Sequence, residues 1–152
     1  MSEPTTGDLL ARFQACQLPH EEWTHRAHLF VAASYLAEAA PSLVLPRLRT
    51  EIQKLNLFHG VMTTPQRGYH ETLTRVWLCL VLSASQALGP EAGPDEIVER
   101  CLADKARPLR HYSEERLMSW AARTGWISPD LLPLPSDPGE WEDGTPPLFT
   151  LA

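Results

Sequence analysis

The chain has 152 residues, with 19 Asp and Glu against 13 Lys and Arg, so it carries a formal charge of −6 when its histidines are neutral. That length suits one domain able to bury roughly two-thirds of its unfolded surface without metal or disulfide staples. The acidic balance gives the whole molecule no electrostatic reason to gather on nucleic acid or anionic lipid.

Cys16, Cys79 and Cys101 are an odd, widely spaced set without a Cys-x-x-Cys step, which argues for reduced thiols and a cytoplasmic location. Met1 to Asp8 offers neither a basic region nor an apolar stretch, so no secretory signal is expected. The longest apolar run, Val76 to Leu82, is far too short to span a bilayer.

Taken in chain order, Leu9, Leu10, Phe13 and Cys16 have helical spacing, closed by Leu18-Pro19. His20, Glu21 and Glu22 read as the acid-rich first turn of a second helix that runs through Trp23, Ala27, Phe30, Val31 and Tyr35 to Ala40-Pro41. Leu45, Leu48, Ile52 and Leu55 predict an amphipathic third helix ending near Asn56, with no evident chemistry on it. Phe58 to Gly68 is a loop, and from His70 the chain is apolar nearly all round through Ala84, as a central helix would be. A fifth helix follows Asp95, then a basic loop of Lys105, Arg107, Arg110 and His111, then a sixth helix capped by Ser113 and ending at Gly125. From Ser128 prolines forbid regular structure, while Trp141, Leu148 and Phe149 could rest on the body. The expected fold is all-α: a single-domain bundle of about five to six helices over residues 1–127, with a Pro-rich tail over 128–152. Its apolar spine offers a face that a homodimer could bury.

Two histidine-bearing segments suggest a site. His25 and His28 stand one turn apart on inward rows of the second helix, and His70 opens the fourth. Three imidazoles meeting at one end of the core would leave a coordination position open, as a catalytic metal requires. An all-imidazole set suits zinc, iron, nickel or manganese without selecting among them. The metal would polarise a small anionic substrate or activate water, with Glu22 or Glu71 moving protons and Tyr69 or Arg75 orienting the ligand. The blander reading of Glu71 and Arg75, four residues apart, is a helix-stabilising ion pair. Thr63, Thr64 and Arg67 precede the fourth helix, whose N-terminus favours an anion. Trp23 and Trp77 read as core aromatics, and His20 and His59 as turn residues without a ligand role. Two readings stand beside the metal enzyme: a non-enzymatic helical binding or partner module with structural histidines, and a metal-dependent sensor without turnover.

The segments Trp23-Thr24-His25-Arg26-Ala27-His28-Leu29, Gly68-Tyr69-His70-Glu71-Thr72-Leu73-Thr74-Arg75 and Tyr112 to Ser119 together resemble a family of small bacterial helical proteins of uncharacterised activity. The resemblance covers most of residues 9–135 and implies one helical domain. A more distant architectural likeness is to the DinB-like bundles, which hold a divalent ion with three histidines from two helices. In those the close pair is four apart and follows its single partner, whereas here the spacing is three and the order is reversed.

Overall fold

A computed structural model describes residues 6–139. These residues form eight α-helices and one 3-10 turn, with no strand among them. Trp141, Leu148 and Phe149 lie outside the described residues.

Helix α1 (Thr6–Gln14) is followed by the 3-10 turn His20–Glu22 and by α2 (His25–Leu36). The second helix therefore starts five residues later than its acidic prelude suggests. Thr24 is the reason: its extended backbone stops the turn, and its hydroxyl accepts the Ala27 N–H at 3.2 Å, the work of an N-cap. Helix α3 (Pro41–Phe58) begins at Pro41 and continues through Pro46. A proline so near the start removes only a first-turn bond, to the carbonyl of partly exposed Ser42, so the helix survives it.

Helix α4 (Glu71–Leu88) is capped by His70 and ends at Gly89. It is the central element, in contact with α2, α3, α5 (Pro94–Leu102), α6 (Pro108–His111) and α8 (Trp120–Thr124). Apolar clusters flank it on both sides. The larger joins α2, α3 and α5 through residues such as Leu29, Leu45, Leu55, Leu78 and Val98. The smaller gathers Val76, Cys79, Leu80, Tyr112, Leu117 and Leu134.

The basic stretch expected as a loop contains α6, and the expected sixth helix is two short ones, α7 (Glu114–Leu117) and α8. Ser119 divides them by capping anew, its hydroxyl accepting the Ala122 N–H at 3.1 Å. The described part of the tail lies on the body. Leu134 is buried, the Leu131 N–H donates to the His111 carbonyl at 2.9 Å, and Ser136 reaches Gln86 at 2.7 Å. No helix among the described residues is long and apolar enough to cross a membrane.

Candidate functional site

At the N-terminal end of α4 a cavity of about 430 Å³ opens between α2, α3 and α4, within the usual size range of small-molecule sites. Its walls are mainly apolar, with Leu29, Leu48, Ile52, Val61 and Leu78 among them. The polar groups are few: His20, His25, His28 and His70, with Asn56, Arg67 and Thr74. All three histidines singled out by the sequence therefore reach one cavity.

Their ring nitrogens are not equivalent. The His28 Nδ1–H donates to the Thr24 carbonyl at 2.6 Å, the same carbonyl that accepts the His28 backbone N–H at 3.0 Å. That fixes the tautomer and leaves Nε2 as a bare acceptor, without a hydrogen-bond partner among the described residues. The ring stacks on Trp23, which stacks in turn on Phe13 at 4.8 Å. Burial lowers the His28 pKa to about 4 despite the bond to Thr24, so the ring is neutral at physiological pH. His25 stands edge-on to Trp77, centroids 5.0 Å apart, with both ring nitrogens free of hydrogen bonds among the described residues. Its pKa too is lowered, first by burial and then by the nearby Lys105 charge.

His70 is committed on both sides. Its Nδ1 accepts the Leu73 N–H at 2.9 Å as the N-cap of α4, and its Nε2–H donates to the Leu117 carbonyl at 2.8 Å. It caps a helix and ties the last helices to it, and neither nitrogen is left for a metal. Among the described residues no three His, Cys, Asp or Glu side chains stand close enough to hold an ion.

Of the proposed proton carriers and ligand-orienting groups, Tyr69 lines the cavity while Glu22, Glu71 and Arg75 do not. Glu22 is held by Arg12 in a two-pronged pair at 2.6 and 3.1 Å. Glu71, buried, takes Arg49 Nε–H at 2.9 Å and a second Arg49 N–H at 2.7 Å, so its close partner comes from α3 rather than from Arg75. Tyr69 lines the cavity, and its hydroxyl donates to Glu71 at 2.7 Å. Burial beside the Glu71 carboxylate raises the Tyr69 pKa well above its ordinary value. The Arg75 guanidinium lies over the Trp126 ring, 4.4 Å from its centroid, and Arg75 is not among the residues lining the cavity.

Sequence reasoning passed over the contribution of α3. Leu48, Ile52 and Asn56 form one row four residues apart and line the cavity, while Arg49 on the next row anchors Glu71. A polar Asn ending an otherwise apolar row was the available signal. Trp23 and Trp77, expected in the core, are partly buried and packed against it, and they also line the cavity, where His20 from the 3-10 turn joins them. Arg67 stands at the cavity without a carboxylate partner among the described residues. The N-terminus of α4 is less open to an anion than expected, because the His70 ring already takes the Leu73 N–H.

Fold and site together define an all-helical domain built round a histidine-rimmed, tryptophan-walled cavity. No family model, curated protein or solved structure matches the chain.

Proposed function

We propose that this domain binds a small anionic molecule with a flat apolar body in the cavity between α2, α3 and α4. The observation that carries this reading is His28, which lines a space of about 430 Å³ together with two tryptophans and whose Nε2 has no hydrogen-bond partner among the described residues. A neutral imidazole there accepts a hydrogen bond from a ligand hydroxyl or N–H. Arg67 supplies the positive charge for a ligand carboxylate or phosphate. Trp23, Trp77 and the aliphatic wall supply dispersion and apolar burial for the rest.

Binding is better supported than proton transfer. An imidazole protonated only near pH 4 is a weak base at neutral pH, and the carboxylates that could assist are locked in ion pairs. A para-hydroxybenzoate titration followed by calorimetry tests the reading, since that probe combines an aromatic ring, a hydroxyl donor and a carboxylate. Saturable binding abolished in His28→Ala and weakened at least tenfold in Arg67→Gln is expected. Absence of binding by this and other aromatic acids would sink the proposal.

Metal binding remains a second reading, favoured by one observation: His25 and His28 both bring unpartnered nitrogens to the same cavity. Zinc, iron, nickel or manganese would there be held by two imidazoles and solvent, with His70 remaining a cap. Elemental analysis of protein purified without chelator, beside a His25→Ala/His28→Ala variant, decides it. Metal present in the parent and missing from the variant supports the reading, and a parent that neither carries nor acquires metal removes it.

A further inference from the structure

A second cleft of about 270 Å³ lies between α4, α5 and the start of α6. Trp77 lines both spaces. The floor is apolar, with Leu80, Ala84 and Ala87, and the polar groups are Ser83, Arg100, Asp104 and Arg107.

The charge arrangement in this cleft is unusual for so acidic a chain. Several arginines elsewhere are taken up by carboxylates, Arg12 by Glu22, Arg26 by Glu99, Arg47 by Glu51 and Arg49 by Glu71, while Arg116 and Arg123 spend their N–H groups on serine or backbone oxygens. Arg100 has no carboxylate partner among the described residues, and Arg107 spends only its Nε–H, on His111 Nε2 at 3.1 Å. The one acid in the cleft, Asp104, is already met from outside by Arg110 at 2.6 Å. Two guanidinium charges therefore remain over one neutralised carboxylate. The Ser83 hydroxyl points to the same conclusion. A helical serine commonly bonds the carbonyl four residues back, as Ser34 does to Phe30 at 2.8 Å. Ser83 has no hydrogen bond among the described residues and lines the cleft.

We infer that this cleft is a separate oxyanion site that takes the phosphate of a small monoester, gripped by Arg100, Arg107 and Ser83 with its organic group against Trp77, Leu80 and Ala84. Three separate stretches of chain each contribute one donor group: α4, α5 and the residue before α6. Guanidinium forks and a hydroxyl match an oxyanion with three terminal oxygens better than a carboxylate with two. The site is independent of the ligand proposed for the first cavity, although the two occupants would share one tryptophan in their walls.

The test is calorimetric titration of the full-length chain carrying His28→Ala and Arg67→Gln, which disable the first cavity, with phenyl phosphate and with inorganic phosphate at low salt. Phenyl phosphate is expected to saturate one site and bind at least threefold tighter than inorganic phosphate. Added to that background, Arg100→Gln and Arg107→Gln should each weaken it about tenfold and Ser83→Ala about threefold. These substitutions lie at partly exposed or exposed positions, and circular dichroism verifies that each variant is folded. No saturable binding in that background overturns the inference. So does affinity that survives Arg100→Gln and Arg107→Gln.

Discussion

His28 and Trp23 stack face to face, ring centroids 3.7 Å apart and planes 27° from parallel. The contact keeps water from one face of the imidazole while the Thr24 carbonyl holds its Nδ1–H. Replacing Trp23 by Leu should rehydrate the ring and raise the His28 pKa from about 4 toward its ordinary value near 6.5. Nitrogen-detected NMR titration of the side chain reads this directly, and a pKa unmoved by the substitution would show that Trp23 is not the source of the dehydration.

The three site histidines make stability pH-dependent with one sign. His25, His28 and His70 all have pKa values lowered in the folded chain, chiefly by burial. Below about pH 6.5 the unfolded chain therefore binds more protons than the folded one. Their contribution is fully present above that pH and is lost as the pH falls toward about 4. Urea midpoints at pH 7.5, 6 and 5 should decline in that order, and His28→Gln should flatten the decline. A midpoint that rises on acidification in this window would contradict the assignment.

Gly68 is required by geometry on two counts. Its φ is +96°, and an added Cβ would sit 2.7 Å from Thr63 Cα and 2.9 Å from the Met62 carbonyl. Both obstacles are backbone, so Gly68→Ala should cost about 2 kcal/mol or more. Chemical denaturation measures it, with Gly60→Ala as a milder comparison because Gly60 shares a positive φ of +72° but has open space around its hydrogen.

Arg49 and Glu71 form a buried pair, 3% and 2% exposed, with the Tyr69 hydroxyl as a third member. Arg49→Ala strands a buried carboxylate and should destabilise by about 3–5 kcal/mol. Tyr69→Phe removes one neutral donor and should cost about 1 kcal/mol. If Glu71 served catalysis instead, Arg49→Ala would leave the fold intact and alter only its chemistry. Thermal unfolding separates the two.

His70 as a cap makes a substitution prediction that a metal ligand would not. His70→Asn restores a side-chain acceptor at the N-cap and should recover part of the 0.5–2 kcal/mol, roughly, that His70→Ala loses. The bond to Leu117 is lost in both. Equal destabilisation by Asn and Ala would show that the cap contributes nothing and that the Leu117 tether carries the whole effect.

Much of the helical order was legible because apolar periodicity and proline punctuation are local signals. The central position of α4 followed from a segment apolar nearly all round. The start of α2 and the split between α7 and α8 were missed for one reason: a single hydroxyl at Thr24 or Ser119 outweighed the pattern on either side. His25, His28 and His70 line one cavity, as inward rows on two packed helices allow, but the expected three-imidazole group does not form among the described residues.

Composition and periodicity determined an all-helical domain with three histidines at one end of its core. Only the tertiary structure decided what each histidine does, because an imidazole's role depends on which partners reach its two nitrogens. Two backbone groups close to His70 satisfy it, one of them from a residue 47 positions away. His28 finds one partner in its own first turn and is left with an open acceptor. Likewise, Glu71 belongs to Arg49, 22 residues back on a different helix. Helical spacing fixes which side chains share a face, but which group satisfies a buried charge or lone pair is settled by the packing of distant segments.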